Sequence, residues 1–219
     1  MIMSKNVNPE IIAYVESTII PQYSNFDKAH HQNHARMVID QSLHLAKNVP
    51  DINMDMVYVI AAFHDLGLVN GRERHHIDSR IILQKDEFLK KLFSAEQIDT
   101  MGDAVEDHRA SKGSEPRSIY GRIVAEADRF IDVETILRRT IQYGLANYPE
   151  LDHEGHYRRT IEHLEKKYGE GGYLKVCIPW SDNSRRLAEL RRIIKEPQQL
   201  SVLFDKLYNE ECNDHSAGY

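Results

Sequence analysis

Cysteine is scarce in this chain, and the two present, Cys177 and Cys212, lie far apart with no Cys-x-x-Cys spacing. They supply neither a zinc finger nor a disulfide framework. No run approaches the ~18 consecutive apolar residues of a membrane-spanning helix. Residues 1–6 lack the positive start and apolar core of a secretory signal, so the expected location is cytoplasmic, with no membrane partner. Strand signals are almost missing, as are internal repeats and low-complexity tracts. The one glycine pair, Gly171-Gly172, has no Lys-Ser/Thr after it and is not a phosphate-binding loop. An excess of positive charge is absent too. The 28 Lys and Arg face 34 Asp and Glu, for a net charge of −6. That argues against nucleic acid as a general partner, because phosphate-backbone binding needs a basic face.

What the chain does have is histidine, twelve in 219 residues, the commonest metal-binding side chain. The apolar fraction of 41% and charged fraction of 28% are those of a globular protein with enough chain to bury a core. Helical periodicity runs nearly throughout. It predicts helices over residues 9–20 (stopped by Pro21), 33–47, 54–66, 77–93, 94–109, 118–130, 132–145, 153–168, 183–194 and 197–208, with a frayed polar tail from 210. Ser94 and Gln97 have capping-box spacing. The expected architecture is all-α: one compact multi-helix domain over 1–219, with a motif core at about 31–132 and a C-terminal helical extension at about 150–209.

The sharpest feature is His64-Asp65, at the end of the apolar run Met56-Val57-Tyr58-Val59-Ile60-Ala61-Ala62-Phe63 and followed by Leu66-Gly67. A carboxylate beside a buried segment needs compensation, and a bound cation supplies it. Neighbouring helical residues point about 100° apart, so both reach one ion only where the helix ends. Leu66-Gly67 offers that end. His34 upstream and Asp128 downstream complete the order His…His-Asp…Asp. Imidazole with carboxylate suits a divalent ion such as Mn or Mg, with Fe, Ni, Co and Zn as alternatives. Such a set leaves positions open for water and substrate.

The segments His34-Ala35-Arg36-Met37-Val38, Ala61 to Gly67, and Ala125-Glu126-Ala127-Asp128-Arg129-Phe130 resemble the HD-domain superfamily of metal-dependent phosphohydrolases over residues 31–132. The resemblance implies His34, His64, Asp65 and Asp128 as metal ligands. It also draws in His75, which precedes the small Ser79 by four residues, its neighbour His76, and His108. The leading expectation is a one-metal phosphohydrolase acting on a phosphoester or phosphoanhydride of a small anionic metabolite, a nucleotide. In it Asp65, His75 and His108 are the catalytic residues, the histidines holding phosphate or moving a proton, and Arg109, Lys112 and His76 meet the substrate. If His75 and His108 both turn inward, the set becomes that of two-metal relatives, which include phosphodiesterases and di-iron oxygenases. A non-catalytic nucleotide-binding module is the remaining alternative. The Glu-Asp that follows the pair in guanosine tetraphosphate hydrolases is replaced by Leu66-Gly67-Leu68-Val69. The Gly-Tyr-Pro of cyclic-dinucleotide phosphodiesterases is missing after His108.

Other histidines have plainer readings: His30, His31 and His44 as loop or surface residues, and His153, His156, His163 and His215 as solvated. Arg72, Arg74, Arg117 and Arg129 are further cations within reach of an anion. Trp180 and Tyr173 are expected to pin the C-terminal helix to the body; a lid or a homodimer contact is their other reading.

Overall fold

The computed structural model describes residues 7–26, 31–109 and 115–216. Among these it is all-α, with eleven α-helices and no strand. Where the sequence pattern suggests one domain with an extension, the chain divides into two compact units. Unit 1 takes residues 1–129 and 177–181, and unit 2 takes 130–176 and 182–219.

Unit 1 is built on α3 (Met54–Phe63), in which every residue from Met56 to Phe63 is buried. A helix apolar on all sides has to be surrounded. α2 (Gln32–Ala46), α6 (Ala95–Asp107) and α7 (Ile119–Asp128) pack against it, and α4 (His75–Lys85) packs on α6. α2 contributes a stripe of Ala35, Val38, Ile39, Leu43 and Ala46 at helical spacing. The Asn53 side chain accepts the Asp55 and Met56 amides and so starts α3. Ser94 and Gln97 form the expected capping box on α6.

Three boundaries differ from those the sequence predicts. The chain does not stop at Pro21. α1 (Pro9–Tyr14) runs through a π turn into a 3₁₀ segment, Ile20–Asn25. Proline is tolerated in an opening turn because its missing N–H has no partner there. The predicted helix 77–93 is two helices, α4 and the short α5 (Leu89–Leu92). Between them the Asp86 carboxylate accepts the Phe88 and Leu89 amides, a local bond that competes with the helix. α3 ends at Phe63, and a 3₁₀ turn over Leu66–Asn70 follows, closed by Gly71 at φ 98°.

Unit 2 comprises α8 (Val133–Asn147), α9 (His153–Tyr168), α10 (Asn183–Ile194) and α11 (Pro197–Ser216). Its own core includes Leu137, Ile141, Leu164, Leu190, Leu200, Phe204 and Leu207. Asp132 caps α8 by accepting the Thr135 amide at 2.8 Å, and Asp152 caps α9 through Gly155. α11 continues past the predicted end at 208. Glu211 is buried there and takes Arg138 at 2.7 Å and Gln142 at 2.9 Å, which holds the last turns in place. His156, read as solvated, is buried on the inner face of α9.

Candidate metal centre

Five helices of unit 1 and one 3₁₀ turn each bring a terminus to one place. His34 stands in the first turn of α2, and His64 is the cap residue at the end of α3. Asp65 opens the following 3₁₀ turn, with φ −111° and ψ 5°. His75 is the first residue of α4, His108 the cap residue of α6, and Asp128 the last residue of α7. The expected end of the helix at His64-Asp65 is therefore present, and it turns the carboxylate and the imidazole toward the same point.

The buried Asp65 carboxylate is the centre. Its Oδ2 lies 3.2 Å from His64 Nε2 and 3.6 Å from His34 Nε2. Its Oδ1 lies 3.4 Å from His108 Nε2 and 3.5 Å from His75 Nε2. Asp128 Oδ1 joins the first side, 3.2 Å from His34 and 3.9 Å from His64. Two ligand groups share Asp65: His34-His64-Asp65 and Asp65-His75-His108.

The second ring nitrogens test whether this donor set suits a cation. His64 Nδ1 pairs with the Ala61 carbonyl at 2.8 Å, His75 Nδ1 with Arg72 at 2.8 Å, and His108 Nδ1 with Val105 at 2.6 Å. A carbonyl only accepts, so each of these Nδ1 atoms carries its proton. In the neutral ring the Nε2 lone pair is then free, and the three Nε2 atoms aim at Asp65. This outer shell of backbone acceptors is the one that orients metal-bound histidines. His34 and His64 bring their Nε2 atoms within 3.3 Å of each other, and His75 and His108 within 3.2 Å. Imidazole nitrogens brought this close can share a cation. The residues fit the metal.

The charges agree. Burial works to raise the Asp65 pKa, but His64, His108 and His34 hold it well below the usual carboxylate range. Asp128 behaves alike: burial opposes its charge, and His34 and His64 keep it ionised. Burial disfavours the His34 cation, yet Asp128 and Asp65 outweigh it and lift its pKa to about 9. Burial dominates at His75 and His76 and pushes both down, His76 to about 4 with Arg109 beside it.

Of the residues expected to meet substrate, Arg109 and His76 stand together next to His75. Arg109 Nη1 is 3.2 Å from His76 Nδ1 and also donates to the Glu73 carbonyl. The His76 and His75 rings are 5.6 Å apart. Lys112 lies outside the described residues. Arg117 is engaged by Asp103 and Asp107, and Arg129 Nη1 by Cys177 Sγ at 2.7 Å, so neither is a spare cation for an anion. Trp180 donates to the Leu45 carbonyl inside unit 1.

Tyr23 is a residue that the sequence pattern does not single out. Its fully buried hydroxyl donates to the Ala62 carbonyl at 2.9 Å and accepts the Asp65 amide at 3.4 Å. Nor does the pattern single out the backbone acceptors. One signal was available for two of them: His64 and His108 each close a helix, where histidine can meet the last carbonyls.

Unit 1 is thus an α-helical bundle with a donor set for divalent cations at its heart. The HD domain family model matches residues 32–131, and this stretch holds all six residues of the cluster. The chain carries an HD domain there, the domain of a superfamily of metal-dependent hydrolases. No curated protein and no solved structure matches the chain.

Proposed function

We propose that the chain hydrolyses a phosphoester or phosphoanhydride bond of a small anionic metabolite, a nucleotide, at a centre of two divalent cations. One observation carries this reading: each oxygen of Asp65 faces its own pair of imidazoles. His34, His64 and Asp128 would hold one cation, His75 and His108 the other, with Asp65 between. His75 and His108 are thereby assigned as ligands rather than as proton carriers. Four imidazoles with two carboxylates suit Fe²⁺ or Mn²⁺ better than Mg²⁺, which prefers oxygen donors. When bound, such ions lower the pKa of a water and offset charge on a phosphoryl group.

The chain's own residues do the rest. Asp65 fixes the distance between the two histidine pairs. The Ala61, Arg72 and Val105 carbonyls hold three rings in the tautomer that leaves Nε2 available. Arg109 presents a planar guanidinium suited to phosphate, steadied by Glu73 and His76. His76, kept neutral by burial and by Arg109, offers a neutral imidazole to an incoming substrate without adding to the local charge.

The test is phosphate and pyrophosphate release from a panel of nucleotides with added Mn²⁺, comparing wild type with Asp65→Ala. Release in the wild type, lowered more than ~100-fold in the variant, is expected for a residue on which both cations depend. Undiminished activity in Asp65→Ala would sink the assignment. Two irons per chain with an iron-type absorption and no phosphate release would favour an oxygenase instead.

A further inference from the structure

We infer that Tyr23 is a positioning residue for the metal centre: its hydroxyl stands in for the turn of helix missing after α3 and holds Asp65 between the two histidine pairs. The inference rests on the two-cation reading above and adds a residue that reading does not use.

A helix that stops inside a protein leaves its last carbonyls unpaired. In a continuing α3 the Ala62 carbonyl would receive the amide of residue 66. The chain instead leaves the helix at His64, and Ala62 receives the Tyr23 hydroxyl proton at 2.9 Å. The same oxygen accepts the Asp65 amide at 3.4 Å. One phenol thus spans the break from both sides, 39 and 42 residues away in sequence. Asp65 is the residue that has to be turned correctly, since its two oxygens face different pairs.

Tyr23 is itself held firmly. It is fully buried in the 3₁₀ segment that Pro21 opens, its ring meets Phe26 edge-on at 5.4 Å, and it lies 6.3 Å from the His64 ring. A buried phenol needs a polar partner for its hydroxyl. Here both of its hydrogen-bonding directions go to the backbone on either side of His64, and none goes to a ligand atom. Tyr23 therefore acts through Asp65 and not on substrate.

The experiment is calorimetric titration of the 219-residue chain with Mn²⁺, comparing wild type, Tyr23→Phe and Tyr58→Phe, with urea unfolding of each in chelator. Tyr58 is a second buried tyrosine, its hydroxyl near Glu16 and away from the cluster. The expected result is a Mn²⁺ affinity lower by about 10–100-fold in Tyr23→Phe, the scale of losing an outer-shell partner. The number of sites and Tyr58→Phe binding should stay close to wild type, while the metal-free unfolding midpoint of Tyr23→Phe falls, because the Ala62 carbonyl and the Asp65 amide lose their partner. A purely structural tyrosine would shift the unfolding midpoint and leave affinity alone. Wild-type affinity in Tyr23→Phe overturns the inference. Absence of Mn²⁺ binding in the wild type overturns the two-cation reading beneath it, and is seen in a separate arm. Amide exchange on the metal-free wild type gives a second measurement that needs no variant. The Asp65 amide should be protected, and exchange at the rate of an open chain would also overturn the inference.

Discussion

At Gly67 a hydrogen stands where other residues carry a carbon, and the neighbours leave no room for more. A Cβ there would sit 2.1 Å from the His75 carbonyl oxygen and 2.5 Å from the Ser79 amide, both backbone. The Gly67 amide donates to Ser79 Oγ at 2.8 Å, so the turn after Asp65 is fastened directly to the start of α4. Gly67→Ala should therefore push α4 away and carry His75 with it. We expect a loss of about 1–3 kcal/mol in urea unfolding, the usual cost of overpacking, together with loss of Mn²⁺ binding. A variant that unfolds and binds as wild type does would show that the close approach does not matter.

Four of the six clustered residues are legible in the sequence. His64-Asp65 sits at the end of an apolar run, and His34 and Asp128 sit at spacings that resemble a known family. What was illegible is set by tertiary packing. Tyr23 meets Asp65 across 42 residues, and nothing in its own neighbourhood marks it. The carbonyls that fix the histidine tautomers belong to Ala61, Arg72 and Val105, whose side chains have no part in holding a metal. Residue identity reports what a side chain can do and says little about which backbone groups will surround it.

At the scale of elements, helix type was read well and helix ends less so. The capping box at Ser94 was visible because its two partners lie three residues apart. The break at Asp86 was not, because apolar residues recur on both sides of it and the carboxylate that interrupts the helix is one among many. Caps also tie the elements to pH. Asp132 accepts the Thr135 amide at the start of α8, and hydrogen bonds from the Thr135 side chain and backbone lower its pKa. A carboxylate with a lowered folded pKa contributes fully above its unfolded value, about 3.9. That contribution is lost as the pH falls through the folded value. Asp132→Asn keeps a capping oxygen that does not titrate. The stability difference between wild type and variant in urea should thus favour wild type at pH 6 and shrink toward zero or reverse below pH 3. A difference that stays constant across that range would remove Asp132 from the pH response.

For the whole molecule, two cores and one tryptophan permit a separate reading of the half that carries the site. Trp180 is the sole tryptophan and belongs to unit 1, as do all six residues of the cluster. Tryptophan fluorescence should follow the unfolding of that unit, while circular dichroism follows helices of both. A cation present at ~100 times its Kd adds about 2.7 kcal/mol to the state that binds it. Mn²⁺ should raise the fluorescence midpoint, and a chelator should lower it. A midpoint indifferent to both would mean that the ion does not bind the folded unit.

Glu126 bears on the order in which the molecule is made. This buried carboxylate accepts the Cys177 amide at 2.6 Å and the Ser181 hydroxyl, so the bed of α7 is finished by residues that come 51 and 55 positions later. On the ribosome, at about 5–20 residues per second, those partners arrive roughly 3–11 s after Glu126 itself. All six residues of the cluster have been synthesised by then, yet the helix that ends in Asp128 still awaits the cover over its inner side. A nascent chain halted before Cys177 would keep that acid facing apolar neighbours or water. The order of synthesis thus places completion of unit 1 after the whole of residues 130–176 has been translated.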